Sequence, residues 1–501
     1  MSTVNRSDSQ SGFAGIPRNM TGLAAKLASA GYATAMFGKW DIGGAIEAQT
    51  PRGRGYQRAL SYFHHLNDEW STTVWQRACQ TGNTSVPIVD LWLAQPDGGA
   101  EGPAHGWNST CSGDQPKGGA PASCRPGPHG DAVWGGYEDA LLAQQAVATV
   151  ESHDTTRPLF LFWAPHAVHT PLQVPQLYVD RFAFVNATDK PAHQRQLYAA
   201  TVAFIDDAFA NLTKAYERRG MYSSLLVVVS ADNGGPVYYG GVGGANNHPL
   251  RGGKMTSWEG GVRVNSFVSG GFLPEPVRGT RYSGLFALWD WYATLCSLAG
   301  VDPTDAAAAA AGLPPVDSID QSALLLGLEL SQGRAPARME LALSTEPRAT
   351  NLSGAPLCTS FAAVDSRRVE GDRYTAPPPS GTCSTLDGLI QADGDHLWKL
   401  LIGDHDMAYV TGPYFPNAST PAAIPAEVVH CGGGCLFDLA ADPLEANDLA
   451  ATMPQRVASM RARLEALLPT AFNPRRGKED AAACDAALQR YGGFWGPFLE
   501  A

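Results

Sequence analysis

Short apolar runs alternate with longer segments of helical periodicity along the first 300 residues of the chain. The runs that predict strands lie at 32–40, 159–164, 225–230 and 264–269. Apolar residues at helical spacing predict helices at 21–30, 137–151, 191–219 and 282–300. The runs 159–164 and 225–230 are apolar throughout, as in strands that are buried on both faces. This alternation predicts an α/β fold in which a large, mostly parallel sheet is sandwiched by helices.

The pattern changes towards the C-terminus. Short strand-like runs lie between turns there, and a helix with one apolar face is predicted at 454–468. We therefore expect an α/β domain at 1–335 and a small α+β C-terminal subdomain at 336–501. Within the first domain, the segment from about 95 to 130 is rich in Gly and Pro and shows no periodicity, which predicts a long surface insertion.

Composition narrows the class of protein. The 501 residues include 36 Lys and Arg against 48 Asp and Glu, a formal net charge of −12, and 44% are apolar, which is typical of a globular protein. This acidic balance argues against a nucleic-acid-binding protein, which needs a basic face. It still allows an anionic substrate, because a local basic pocket can lie in an acidic protein. The sequence has no run of about 18 apolar residues, so we expect no transmembrane helix.

Asparagine and cysteine usage indicates the secretory pathway. Eight asparagines begin Asn-x-Ser/Thr, the acceptor sequence for N-linked glycans: Asn5, Asn19, Asn83, Asn108, Asn186, Asn211, Asn351 and Asn417. Most of the nine cysteines lie in polar loops, where we expect disulfides rather than a zinc site, and Cys296 is expected to be a buried free thiol. These signals predict an extracellular or lysosome-like location, although residues 1–12 do not resemble a signal peptide.

Polar side chains follow the predicted strands at the carboxyl ends, where α/β sheets bind ligands. They are Lys39 and Asp41 at the end of the first strand, His166 and His169 after the second, Asp232 and Asn233 after the third, and Lys254 in a later loop. Taken singly, each has an ordinary structural explanation: a lysine is commonly a solvated surface residue, and Asp232-Asn233-Gly234 is a common turn sequence. Together they supply the groups that an oxyanion site needs.

Each residue type suits one part of such a site. Lys39 and Lys254 supply positive charge for a tetrahedral oxyanion. His169 can donate a proton to a leaving alcohol. Asp232 and Asn233 supply the hard oxygen ligands that Ca²⁺ or Mg²⁺ prefers.

Several segments resemble type I sulfatases of the alkaline-phosphatase superfamily, and most of all the arylsulfatase B group. They are, in chain order, GYATAMFGKW, PLFLFWAPHAVHTPLQVPQLY, LLVVVSADNGG, NNHPLRGGKMTSWEGGVRV and LFDLAADPLEANDLA. The resemblance implies an alkaline-phosphatase-like fold, a calcium cofactor, and hydrolysis of the sulfate ester of an aryl sulfate or sulfated glycan. It also implies that Lys39, His169 and Lys254 are catalytic and bind the sulfate, and that Asp232 and Asn233 are metal ligands.

The chain departs from that family at two points. The family's nucleophile is a formylglycine made from the cysteine of Cys-x-Pro/Ala-x-Arg, and none of the nine cysteines lies in that motif. Asp41 stands where the family normally has a histidine, and a carboxylate there cannot act as a cationic sulfate ligand. One alternative is that Asp41 acts with His64 or His65 in a rearranged substrate-binding site.

Two functions remain open at this point. In the first, the sequence lacks the N-terminal part of a working sulfatase, which would explain the absent signal peptide and the absent nucleophile motif together. In the second, the chain is a catalytically inactive sulfatase-like protein that binds sulfated glycans or a protein partner. A phosphodiesterase of the same superfamily fits less well, because such enzymes use two zinc ions held by additional Asp and His ligands.

Overall fold

The computed structural model describes residues 15–81, 84–96, 98–105, 136–185, 189–237, 243–328, 338–343, 368–370, 373–375, 386–417, 419–420, 427–467, 470 and 482–499. The strands, in chain order, are β1 Ala33–Lys39, β2 Arg58–Tyr62, β3 Thr73–Thr81, β4 Thr84–Val89, β5 Trp92–Ala94, β6 Glu101–Pro103, β7 Leu159–Ala164, β8 Val227–Ser230, β9 Ser266–Ser269, β10 Glu340–Leu343, β11 Arg368–Glu370, β12 Arg373–Thr375, β13 Gly388–Asp393, β14 His396–His405 and β15 Val429–Asp438. The α-helices are α1 Leu23–Ser29, α2 Glu138–Ser152, α3 Gln176–Asp180, α4 Lys190–Arg218, α5 Glu259–Val262, α6 Asp290–Leu298, α7 Ala306–Ala310, α8 Ser322–Leu325, α9 Pro454–Leu467 and α10 Ala482–Asp485. Among the helices in these ranges, none has both the length and the apolar character needed to cross a membrane.

The main sheet has the strand order β6-β5-β2-β1-β7. β1 pairs parallel with β2 and with β7, whereas β5 pairs antiparallel with β2 and with β6. Helices cover one face, because Phe37 and Leu60 of the sheet share a buried cluster with Leu142 of α2 and Leu212 of α4. The predicted α/β class is confirmed, and the sheet is mixed, with its parallel strands β2, β1 and β7 side by side.

The strands predicted at 225–230 and 264–269 form, but their pairing differs from expectation. β8 and β9 form where they were predicted, but within the described residues they pair antiparallel with each other in a separate two-stranded sheet. Phe162 of β7 is 46% exposed, and all four residues of β8, Val227–Ser230, are only partly buried. The expectation that apolar strands are buried on both faces is therefore wrong here, because β7 lies at the edge of the main sheet as described.

A second, antiparallel sheet has the order β10-β13-β14-β15. Helix α9 covers it: Leu400 and Leu436 of the sheet pack against Met460 and Leu464 of the helix. The division into 1–335 and 336–501 stays a prediction, and its boundary lies outside the described residues. Most of the predicted insertion lies outside them as well.

The C-terminal segment 482–499 returns to the main sheet. Trp495 lies in a buried cluster with Trp40, which follows β1. A disulfide joins Cys484 to Cys79 of β3, which is 405 residues earlier in the chain. The C-terminal segment therefore packs against the main sheet, whose strands come from the first part of the chain.

Disulfides and a buried free thiol are confirmed within the described residues, but the bonded cysteines lie on β3, β15 and α10 rather than in polar loops. A second disulfide joins Cys431 to Cys435 in β15, and Cys296 is a buried free cysteine. The remaining cysteines, Cys111, Cys124, Cys358 and Cys383, lie outside the described residues.

Candidate functional site

The carboxyl end of β1 lies beside the loop that follows β7. In the parallel pairing, Gly38 is opposite Ala164, the last residue of β7. Gly38 has a φ of +115°, and a Cβ atom on it would lie 1.8 Å from the carbonyl oxygen of Ala164. Glycine is the residue type that allows both this conformation and this close approach. Lys39 is therefore held next to the loop that carries His169.

Asp41 forms an ion pair with Lys39. The Nζ atom of Lys39 lies 3.7 Å from Oδ2 of Asp41, and the two side chains are 23% and 21% exposed. Asp41 has a φ of 47°, which Asp tolerates better than most non-glycine residues. The carboxylate therefore neutralises part of the charge that Lys39 can offer to an anion. His64, one suggested partner of Asp41, is bonded instead to Asp90, with 2.6 Å between Nδ1 and Oδ2.

The loop after β7 is fixed by Asp139, the second residue of α2. Its two carboxylate oxygens accept hydrogen bonds from the backbone N–H groups of His166 and Ala167, at 2.8 and 2.7 Å. Nδ1 of His169 lies 2.7 Å from the carbonyl oxygen of Thr170. Because a carbonyl only accepts, Nδ1 carries the proton, and Nε2 is the basic nitrogen of the neutral ring.

A second hydrogen-bond group places Lys254. The side chain of Asn247 accepts a bond from the Gly235 N–H at 3.0 Å and donates to the carbonyl oxygens of Gly235 and Gly252 at 2.8 and 3.0 Å. The N–H of Lys254 donates to the carbonyl oxygen of Gly235 at 3.1 Å. The lysine loop is thus tied to the loop that carries Asp232.

The predicted residues influence one another electrostatically. Burial, followed by the charge of Lys254, lowers the pKa of His169 to about 2. Burial, followed by the charge of Lys39, lowers the pKa of Lys254, while Asp232 and Asp41 act to raise it. Such effects fall off with distance, so these groups are neighbours. The result is a partly buried site with two ammonium groups and a neutral imidazole, which favours an anion.

Asp232 and Asn233 follow β8, as predicted. Asp232 is exposed, and Nδ2 of Asn233 donates to the carbonyl oxygen of Gly234 at 2.9 Å. The oxygen Oδ1 of Asn233 then remains as the side chain's ligand atom. A carboxylate and an amide oxygen suit Ca²⁺, which usually takes roughly six to eight oxygen ligands. These two residues therefore fit one part of a calcium site.

A buried cluster that the sequence analysis missed lies behind this loop. Glu69, Glu138 and His166 each offer one ligand atom, and these atoms lie within 4.8 Å of one another, so the cluster can hold a metal ion. Burial, reinforced by the charge of Asp139, raises the pKa of both glutamates well above the usual range. Burial lowers the pKa of His166 to about 3. No local sequence signal separates these glutamates from surface residues, since their burial arises from tertiary packing.

Comparisons with known proteins agree with the architecture. The family model described as Sulfatase matches residues 1–301. Arylsulfatase J of Mus musculus is 26% identical over 493 residues, which cover 97% of this chain and 68% of the relative. Arylsulfatase A of Homo sapiens is 28% identical over 319 residues, which cover 62% of this chain. The matched part spans 52% of the length of that second relative.

The fold also resembles solved structures. The PsFucS1 sulfatase from Pseudoalteromonas sp. superposes with a TM-score of 0.56 at 18% identity, over 90% of this chain and 73% of that one. A likeness at this identity concerns the fold alone. It confirms the alkaline-phosphatase-like architecture that the sequence predicts.

Proposed function

Because this chain belongs to the sulfatase family, we propose that its strand-end site binds the sulfate group of a sulfated small molecule or glycan and hydrolyses the ester. The observation that carries the proposal is that Gly38 packs against Ala164, which places Lys39 beside the loop of His169, where the charges of Lys254 and Lys39 both lower the pKa of His169. The relatives it matches are named arylsulfatases and sulfatases, which are sulfuric ester hydrolases.

The three residues have complementary roles in this proposal. Lys39 and Lys254 bind sulfate oxygens and stabilise the negative charge that develops there. The bound anion offsets the repulsion that the two ammonium groups exert on a protonated His169, so the ring can take up a proton at Nε2. His169 then donates that proton to the leaving alcohol oxygen as the bond between sulfur and that oxygen breaks. Sulfur forms its new bond to the oxygen of a water molecule, which releases a proton to solvent, so the products are the alcohol and sulfate.

Calcium is the proposed cofactor, and Asp232 and Asn233 would hold it together with further oxygen ligands. A bound Ca²⁺ supplies positive charge next to the sulfate group. The family's formylglycine does not fit this sequence, because none of the nine cysteines lies in Cys-x-Pro/Ala-x-Arg. No step is therefore assigned to such a residue.

A second function is binding of a sulfated glycan without hydrolysis, and one observation favours it. Asp41 pairs with Lys39 and neutralises part of the charge that this lysine can offer in catalysis. Both functions place the sulfate between Lys39 and Lys254, and they differ in whether the ester bond breaks.

The proposed location is the secretory pathway. The disulfide between Cys79 and Cys484 suits an oxidising compartment. Among the glycan acceptor sites in the described residues, Asn211 and Asn417 are exposed and Asn19 is partly exposed, so attachment at these positions is sterically open.

The two functions are separated by measuring turnover and binding on the same protein. The purified chain is incubated with 4-nitrocatechol sulfate and millimolar Ca²⁺, and binding of a sulfated oligosaccharide is followed by calorimetry. Lys254→Ala is compared with Lys214→Ala, which removes an exposed lysine of α4. If the parent protein hydrolyses the substrate and Lys254→Ala abolishes this turnover, the result supports hydrolysis at the proposed site. Binding without turnover supports the second function, and the absence of both overturns the site.

A further inference from the structure

Three residues from separate elements meet in the protein interior. Glu69 lies between β2 and β3, Glu138 is the first residue of α2, and His166 follows β7. Each is 3% exposed or less. Nδ1 of His166 lies 3.2 Å from Oε1 of Glu69. Two ligands that are bound at about 2.1 Å to one tetrahedral Zn²⁺ lie about 3.4 Å apart, so this pair already has nearly the spacing of metal ligands.

Several polar atoms of this cluster have no hydrogen-bond partner among the described residues. They are Oε2 of Glu69, Oε2 of Glu138 and both ring nitrogens of His166. Buried polar atoms are nearly always satisfied in native proteins, so the cluster calls for a ligand that contacts one atom of each side chain. The buried imidazole is an observation independent of the two carboxylates, and its Nδ1 atom faces Glu69 at 3.2 Å.

From this geometry we infer that Glu69, Glu138 and His166 bind a first-row transition-metal dication, of which Zn²⁺ is the best match. Two carboxylates and one dication form a neutral group, which removes the cost of burying two negative charges together. A proton shared between the glutamates would reduce that cost too, but it would not bind the imidazole together with both carboxylates. A metal ion satisfies all three side chains.

The chemical types of the three ligands favour some metal ions over others. Imidazole and carboxylate ligands suit Zn²⁺ and other late first-row ions, whereas Ca²⁺ takes oxygen ligands in larger number. Three protein ligands leave one position of a tetrahedral Zn²⁺ for water. The site shares no residue with Asp232 and Asn233.

The surroundings hold the ligands in place. The N–H of Glu138 donates to the carbonyl oxygen of Glu69 at 2.8 Å, and Nδ2 of Asn67 donates to Oε1 of Glu138 at 3.3 Å. The N–H of Glu69 donates to Oε1 of Gln173 at 2.9 Å. Such outer contacts orient metal ligands and strengthen binding.

A metal at this position would join three elements behind the sulfate site. Its ligand His166 lies three residues before His169, so the ion would fix the loop that presents the proposed proton donor. The inference does not depend on the proposed function, because its main readout is metal content.

The test measures metal binding to the full chain. Protein is loaded with Zn²⁺ or Mn²⁺, dialysed against metal-free buffer and analysed by mass spectrometry of the metal. We expect about one Zn²⁺ per chain and a Kd that is at least about tenfold weaker in Glu138→Gln. Asp232→Asn, at the proposed calcium position, should retain the Zn²⁺ of the parent. Zn²⁺ should also raise the thermal midpoint of the parent in a saturable way, and Glu138→Gln should lose that rise.

Three other results would contradict the proposed metal site. Failure to retain Zn²⁺ or Mn²⁺, retention that Glu138→Gln leaves unchanged, or loss of Zn²⁺ in Asp232→Asn instead would each overturn it. If Glu138→Gln does not fold, Co²⁺ substitution of the parent decides the question. Visible absorption bands of tetrahedral Co²⁺ support the site, and their absence refutes it.

Discussion

The ammonium nitrogen of Lys399 lies 2.9 Å from Oε1 of Glu259, so a buried ion pair joins the C-terminal sheet to the helix that follows the Lys254 loop. Glu445 lies 2.7 Å from the same nitrogen. Against the effect of burial, the two carboxylates raise the pKa of Lys399. The three side chains are 3% exposed or less, so each charge depends on the others for its stability.

Removing the ammonium group should therefore be costly. We expect Lys399→Met to lower the free energy of unfolding by about 3–5 kcal/mol, because it leaves two buried carboxylates without a cation. The matched control is Arg463→Gln, which breaks the largely exposed pair with Glu340 and should change stability by no more than about 1 kcal/mol. Urea unfolding followed by circular dichroism gives both values. Equal losses of unfolding free energy in the two variants would show that the buried ion pair contributes no more to stability than the exposed pair does.

Gly38 provides a test of the close contact that places Lys39. Gly38→Ala forces a Cβ atom against the Ala164 carbonyl, whereas Gly31→Ala, at a φ of +87°, meets no atom within 4 Å. Both substitutions share the strain of a positive φ, so their difference measures the contact. We expect Gly38→Ala to be less stable than Gly31→Ala by about 1–3 kcal/mol, the usual range for overpacking. Thermal and urea unfolding of the two variants measure it, and indistinguishable stabilities would contradict the contact.

Local patterns predict individual elements well in this chain. The helix predicted at 191–219 is α4, Lys190–Arg218, and the strand predicted at 159–164 is β7, with the same bounds. In both cases a long periodic or apolar segment determines its own conformation.

Features that depend on distant parts of the chain were not predictable in this way. The pairing of β8 with β9 and the disulfide between Cys79 and Cys484 are set by tertiary packing. The candidate site shows the same division. Lys39 could be found because it ends a predicted strand, and Lys254 because its loop resembles the lysine loop of the family, but Glu69 could not be found, because only the folded protein buries it.

Asp41 is expected to weaken anion binding by its pairing with Lys39. We predict that Asp41→Asn binds a sulfated oligosaccharide roughly two- to fivefold more tightly, in line with the modest strength of partly exposed ion pairs. Asn is chosen because it also tolerates a positive φ. Calorimetry at low ionic strength measures the affinity, and added salt should shrink the difference.

The control for Asp41→Asn is Asp154→Asn. It removes a surface carboxylate in a turn and should leave the affinity for the sulfated oligosaccharide unchanged. An equal gain in both variants would mean that net charge alone is responsible. Weaker binding in Asp41→Asn would instead make the carboxylate a direct contact of the ligand, as the prediction of a rearranged substrate-binding site requires. Unchanged binding would show that the pair with Lys39 does not affect the affinity.

The last prediction concerns the proton on His169. Its pKa of about 2 makes the ring neutral near pH 7, and a sulfate bound between Lys39 and Lys254 raises that pKa by offsetting their charges. Binding should therefore take up a proton at a pH between about 2 and the raised pKa of the complex, and affinity should increase as the pH falls through that raised pKa. Calorimetry at one pH in two buffers of different ionisation enthalpy counts the protons. His169→Gln should abolish the uptake, whereas His430→Gln, on an exposed part of β15, should retain it. Uptake that persists without His169 would assign the proton to another group and remove this residue from the role of acid.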